Sequence, residues 1–308
     1  VDATVPMCVN SGPMLPAAFV PPTVWQTPQV VMNIAGGATP LLDTELIKSS
    51  HSEDGAHKVL IKLADDSLVE AVCMPGSKGQ TICISTQVGC AVQCHFCASG
   101  MEGLKRNLTQ SEVLQQAFWM RREFGDFHRI VVMGMGEVGH NLYNILGALD
   151  CLIDETGSNF SGRRITVSTV APKGAIAAIA NFGKTVQLAI SLHATTDTLR
   201  QELVPGTKDR TIEQLLDEAE NYFNTTGREF TIEYVLLAGV NDSIEQAQQL
   251  ADLLRNSRCH VNLIPYNNID ELDFHYPDDK TCEAFAQRLR DNAFSVTLRL
   301  SMGKDKDA

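Results

Sequence analysis

From residue 80 onward, short apolar runs alternate with longer amphipathic segments, and this alternation constrains the fold more than any other feature. The runs "TICISTQV", "RIVVMGMGE", "RRITVSTV", "TVQLAISLHA", "EFTIEYVLLAG", "CHVNLIPYN" and "FSVTLRLSMG" read as strands. Between them "TQSEVLQQAFWMRREF", "NLYNILGALDCLIDE", "PKGAIAAIANF", "TIEQLLDEAENYFN", "SIEQAQQLADLLRNS" and "KTCEAFAQRLRDN" read as helices. Thr109 and Glu112 form a capping box ahead of the first helix, Pro172 stands near the first turn of the third, and Ser243 caps the fifth. Strands that are apolar nearly throughout are buried on both faces, which implies a parallel sheet covered by helices. Right-handed crossovers curl such a sheet toward a barrel. About six βα units are present, short of the eight of a closed barrel. Upstream, "HKVLIKLADDSLVEAVCMP" places two β-type runs around "ADDS" and reads as a hairpin. The expected fold is therefore α/β, a partial (βα)6 barrel over 80–308 with a β-hairpin extension over 51–79. Residues 1–50, dense in proline and without a period, read as a loose arm or the remnant of an accessory domain.

The bulk numbers bound the function. Of the 308 residues 44% are hydrophobic and 20% charged, which is the balance of a globular protein. No apolar run approaches the roughly 18 residues of a membrane span. No basic segment leads into a short apolar core as a secretory signal would. The chain begins at Val1, which reads as a fragment or a processed product. Nine cysteines are an odd number and are not spaced as a disulfide framework, so a reducing, cytoplasmic compartment is expected. The net charge of −12 weighs against nucleic acid as a partner, because phosphate contacts want Lys and Arg. Lys105–Arg106, Arg121–Arg122, Arg163–Arg164 and Lys173 are cations on expected loops and helix surfaces, suited to phosphates or to plain solvation.

One loop concentrates the chemistry. "GCAVQCHFCASG", directly after the first barrel strand, carries Cys90, Cys94 and Cys97 in a C-x3-C-x2-C spacing. Loops that leave the C-terminal ends of barrel strands are where such folds build their sites. Zinc would want a fourth ligand, which His95 inside the loop offers and Cys83 in the strand offers less well. A C-x2-C redox dithiol leaves Cys90 unexplained, and three incidental cysteines remain an alternative. An iron–sulfur cluster normally takes four thiolates. With three, one iron stays open for a further ligand.

The spacing after a first barrel strand resembles the radical S-adenosylmethionine (SAM) superfamily. "ISTQVGCAVQCHFCASG", "GMGE", "ITVSTV", "ISLHATTDTLR", "EYVLLAGVNDS" and "VNLIPYN", in that order, are similar to the RlmN/Cfr family of RNA methyltransferases, over roughly residues 54–308. The resemblance implies a [4Fe–4S] cluster on Cys90, Cys94 and Cys97, with Phe96 either packing beside it or serving as ordinary core. It implies SAM bound through Gly136 and Glu137 at its amino end, by Ser168, by Ser191, Leu192 and His193, and by Asn267 near its adenine or ribose. It implies methylation of an adenine carbon in 23S rRNA and tRNA, at C2 in RlmN and C8 in Cfr. One SAM methylates a cysteine near the C-terminus, and a second starts the radical that carries this methyl carbon onto the ring. Glu70 matches the proton acceptor. Cys83 matches the thiol that resolves the protein–RNA crosslink, leaving a disulfide. An electron donor such as flavodoxin and a monomeric state are also expected. Cys8, Cys73, Cys151, Cys259 and Cys282 match no functional position.

The chain departs from the family at several points. It ends "SMGKDKDA", where the family continues toward its methyl-carrying cysteine, so the chain as given is expected to lack complete catalysis. "GMGEVGHN" replaces the usual proline after the Glu, and "STVAPKG" lacks the usual glycine after the strand. The family's helical RNA-binding domain is not evident in 1–50. These departures keep two other readings open: a degenerate module that binds cluster and SAM, and a radical SAM enzyme acting on another substrate.

Overall fold

A computed structural model describes residues 42–299. Expectations that fall on 1–41 and 300–308, including Cys8, lie outside the described residues. Strands β1 (Glu45–His51), β2 (His57–Lys62) and β3 (Leu68–Met74) form an antiparallel meander. The expected hairpin is thus β2–β3, and a third strand extends it into the stretch read as an arm. β1, "ELIKSSH", is an edge strand that buries little, so it shows no apolar alternation.

β4 (Gln80–Cys83) pairs antiparallel with β3 and parallel with β7 (Phe127–Val132). The parallel order continues through β8 (Ile165–Thr169), β9 (Gln187–Ser191), β10 (Phe230–Leu236), β11 (Cys259–Pro265) and β12 (Ser295–Leu298). Helices α1 (Gln110–Phe124), α2 (Leu142–Ile153), α3 (Ala175–Ala180), α5 (Ile212–Thr226), α6 (Ile244–Leu254) and α7 (Asp279–Asp291) cover the sheet between successive strands. The six βα units and the open, partial-barrel character are as expected. β1 and β12 are the two edges and do not pair with each other. The sheet nonetheless curls, since Arg299 beyond β12 reaches Met74 at the end of β3, Nη2 to Sδ 3.9 Å.

The expected capping box at Thr109 and the expected cap at Ser243 are both formed, and Thr211 with Gln214 adds a further capping box at α5. Thr109 accepts from the Glu112 amide at 3.2 Å while Glu112 accepts from the Thr109 amide at 2.8 Å, and Ser243 is paired with Gln246 in the same way at α6. Three local readings change. The run "TICISTQV" is broken after Cys83, because Ser85 and Thr86 turn away to hydrogen-bond the carbonyls of Glu70 and Met135. β5 (Gln87–Gly89) then pairs with β6 (Leu104–Asn107) in a separate hairpin. The helix after Pro172 is only α3, starting at Ala175 behind a left-handed Gly174. A short helix not foreseen, α4 (Asp197–Leu203), follows β9.

Candidate active site

The three cysteines occupy the loop that β5 and β6 close. Gly89 has φ +76°, and a Cβ there would stand 2.0 Å from the Gly103 carbonyl oxygen, so only glycine permits the closure. The Cys90 amide donates to that same carbonyl at 2.9 Å. The far side of the loop is held by α4 and the turn after it. The His95 amide donates to Leu203 O at 3.0 Å, and the Gly206 amide to Val92 O at 3.1 Å. Val92 and Phe96 are buried with Val170, Leu203, Val204, Leu237 and Tyr266, and the three half-buried cysteines pack against this apolar cluster. Burial, and then the neighbouring thiols and Glu137, push Cys94 well above the ordinary thiol range, and Cys90 in the same direction.

Cys90, Cys94 and Cys97 line one cavity of about 220 Å³. His95, the fourth zinc ligand offered by the sequence, is instead exposed and lines an outer groove that shares only Cys94 with this cavity. Among the described residues no three Cys, His, Asp or Glu converge on a single ion. A cubane cluster asks for something different, one thiolate on each of several irons. Three thiols around one partly apolar cavity fit that donor set, and a cationic iron core would relieve the cost of their deprotonation.

Strand ends supply the rest of the cavity: Gly136 and Glu137 after β7, Ser168 and Thr169 at β8, Ser191 and His193 at β9, and Glu233 on β10. Gly136 has φ +99°, and a Cβ would lie 2.5 Å from that of Gln87. Glu137 is 4% exposed. Its carboxylate accepts from the Gly139 and Val170 amides at 2.7 and 2.8 Å and from the Thr169 hydroxyl, and burial raises its pKa. Ser168 and Ser191 stand with their hydroxyl oxygens 3.3 Å apart on neighbouring strands. His193 Nδ1 accepts from the Val235 amide at 3.1 Å, which leaves the proton on Nε2. The Phe96 ring meets the imidazole edge-on at 5.0 Å. Leu192 is not among the lining residues, and its side chain is in the main core.

Asn267 is displaced too. It lines a second cavity of about 390 Å³ together with Glu70 and Cys83. The two cavities share Phe96, Cys97, Ser99, Met133, Gly134, Val235 and Ile264 as a common wall. Burial pushes the Cys83 thiol up to about 11, against the pull of the Met133 amide and Arg299. Glu70 pairs with Lys58 at 3.3 Å. The eight described cysteines are free thiols, so the disulfide implied by the resemblance has no counterpart among the described residues.

Sequence reasoning missed several contributors. Thr169 and Glu233 carried a signal, a polar residue beside Ser168 and an acid inside the apolar run "TIEYV". Arg200, buried on α4, carried none. Several of the cations suited to phosphates or to plain solvation have partners within the protein. Arg106 bridges Asp65 and Glu112 at 2.9 and 2.8 Å, Arg121 pairs with Asp126 at 2.7 Å, and Arg122 lies over the Trp119 ring at 5.1 Å. Among the described residues no helix is long and apolar enough to cross a membrane.

Comparison with known proteins adds to this geometry. The family model described as the radical SAM superfamily matches residues 84–253. A probable dual-specificity RNA methyltransferase RlmN from Synechocystis sp. is 44% identical over 256 residues, covering 83% of this chain and 73% of that protein. A protein of the same description from Rhodopirellula baltica is 42% identical over 262 residues, covering 84% and 71%. The crystal structure of a radical SAM methyltransferase from Sphaerobacter thermophilus superposes with a TM-score of 0.84 at 41% identity, over 87% of this chain and 80% of that one. SAM-bound SuiB from Streptococcus suis, at 15% identity and a TM-score of 0.53 over 71% of this chain and 50% of its own, shares the fold alone.

Proposed function

The chain belongs to the radical SAM superfamily as an RNA methyltransferase of the RlmN type, and from that membership we propose that it methylates adenine at C2 in 23S rRNA and tRNA. The observation that carries the reading is the shared wall: a three-thiol cavity adjoins a cavity that holds a fourth thiol and a carboxylate. The C2–H bond of adenine is not acidic enough for simple displacement on a methyl sulfonium. A [4Fe–4S] cluster with SAM supplies, when bound, a carbon radical able to take hydrogen from an unactivated methyl group.

The chain's own residues divide the remaining work. Cys90, Cys94 and Cys97 would hold the cluster. Gly136, where no Cβ fits, would let the main chain approach the amino end of SAM. Glu137, engaged by three protein donors, shapes that loop and presents its remaining acceptor capacity. Ser168 and Ser191 offer paired hydroxyls, and His193 offers an Nε2–H donor. Leu192 contributes through its backbone, its side chain being core. Asn267, which lines the second cavity, would meet the adenine or ribose of SAM across the shared wall. The target adenine of the RNA must leave its stack to enter. Glu70 accepts the ring proton. Cys83, a poor nucleophile while protonated, would lose its proton and attack the crosslinking sulfur: an S–S bond forms as the sulfur–methylene bond breaks, and the carbon that leaves with the electron pair takes a proton to become the methyl group of the released RNA. The methyl carrier in this scheme is a cysteine near the C-terminus of the full-length protein. We place the enzyme in the cytoplasm as a monomer, reduced by a one-electron donor such as flavodoxin.

The test uses the full-length protein, reconstituted with iron and sulfide. Mass spectrometry of digested RNA should show 2-methyladenosine, and an 8-methyl product would move the assignment to C8. Cys83→Ala should trap a covalent protein–RNA adduct on a denaturing gel. Full turnover by that variant would remove Cys83 from the mechanism.

A further inference from the structure

We propose that Arg200 is the built-in counter-charge of the three-thiol centre, a positioning residue that favours the centre's one-electron-reduced state. The proposal rests on reading Cys90, Cys94 and Cys97 as cluster ligands. Arg200 lies on α4 and is 1% exposed. Its Nη2 donates to the carbonyls of Val170 and Ser191, at 2.8 and 3.3 Å, at the ends of β8 and β9. Its Nε and Nη1 are buried without a partner. Among the described residues no carboxylate forms an ion pair with it. Asp197, one turn earlier on the same helix, spends its carboxylate on the Ile212 amide at 2.7 Å.

Arg210 makes the contrast. Also buried, it pairs with Glu218 at 2.9 Å and donates to the carbonyls of Ala171 and Gln214. A buried cation without a counter-ion is costly, and is tolerated where an anion arrives. Val170 and Ser191, whose carbonyls it holds, both line the three-thiol cavity, and its charge is felt at Cys94 and Glu137. Burial and the like charge of Arg210 lower the guanidinium to about 10, which leaves it cationic at neutral pH. The same helix grips the cysteine loop through Leu203 O. A [4Fe–4S] core on three thiolates is anionic, and one unit more so after accepting an electron. A fixed cation beside it therefore favours reduction, since net charge is a main determinant of cluster potential.

The experiment is an EPR-monitored dithionite titration, without SAM, of the reconstituted full chain as wild type, Arg200→Lys and Arg200→Gln. Iron and sulfide are quantified in each. The Gln variant should shift to a more negative midpoint, so that a poise half-reducing the wild type leaves it mostly oxidised. The Lys variant, which keeps the charge but not the fork, should stay near the wild type. Loss of iron from the Gln variant alone, with Lys holding iron at the wild-type midpoint, also supports the proposal. Equal midpoints in all three, or equal loss of iron from both variants, would make Arg200 a strut between strand ends and overturn it. A wild type that takes up no cluster would instead overturn the ligand assignment itself.

Discussion

At the scale of single residues, His193 shows how environment sets chemistry. It follows β9 with φ +62°, a left-handed conformation held by the Val235 amide on Nδ1 and by Asn241, which donates to the His193 carbonyl at 2.8 Å. Burial, and then the Arg200 charge, lower its pKa to about 3. An unfolded histidine binds its proton near pH 6.5, whereas the folded one does not until about 3. Between these values the unfolded state holds more protons, so stability falls as pH falls below 6.5 and is fully present above it. Glu137 and Glu233, raised by burial, act in the opposite sense, so the histidine is isolated by difference. In denaturant unfolding, His193→Gln should spare the chain about 2 kcal/mol of the stability lost between pH 7 and pH 5. Parallel pH profiles for the two proteins would show that His193 is not held neutral.

At the scale of elements, α4 and the turn behind it act as the clamp on the cysteine loop. Leu203 is 2% exposed and packs in the cluster that includes Val92 and Phe96. Leu203→Ala should cost about 2–5 kcal/mol through lost contact and a residual cavity. Because that cavity lies under the loop, alkylation of Cys90, Cys94 and Cys97 should accelerate along with it. Thr109→Ala, which removes a capping box on α1, should cost about 1 kcal/mol and leave those thiols unchanged. Thermal melts together with mass-spectrometric thiol mapping separate the two. Equal thiol reactivity in both variants would deny α4 its clamping role.

At the scale of the whole molecule, the sheet is open in hydrogen bonding but closed in electrostatics. Arg299, past the last strand, touches Met74 of the extension and lowers the pKa of Cys83 on the first parallel strand and of Glu233 on the fifth. Its charge therefore connects the two ends of the curl. Arg299→Ala should raise the apparent pKa of Cys83 above its present value of about 11, read as an upward shift in the pH profile of its alkylation. An unmoved profile would mean that the ends do not communicate.

What the sequence by itself determined is what short spacings control. Continuous apolar strands imply burial on both faces and hence a parallel sheet. Thr109 with Glu112, and Ser243 as a cap, fix helix starts, because a cap reaches only three residues. Three cysteines within eight positions must share one loop. The tertiary structure alone decided which strand ends share a cavity, that Asn267 stands with Glu70 and Cys83, and that Arg200 is buried without a counter-ion. It also decided the break at Ser85 and Thr86, whose hydrogen-bond partners lie 15 and 49 residues away. Those outcomes depend on contacts between distant segments and on the loss of water around them, and no local pattern of residues encodes either.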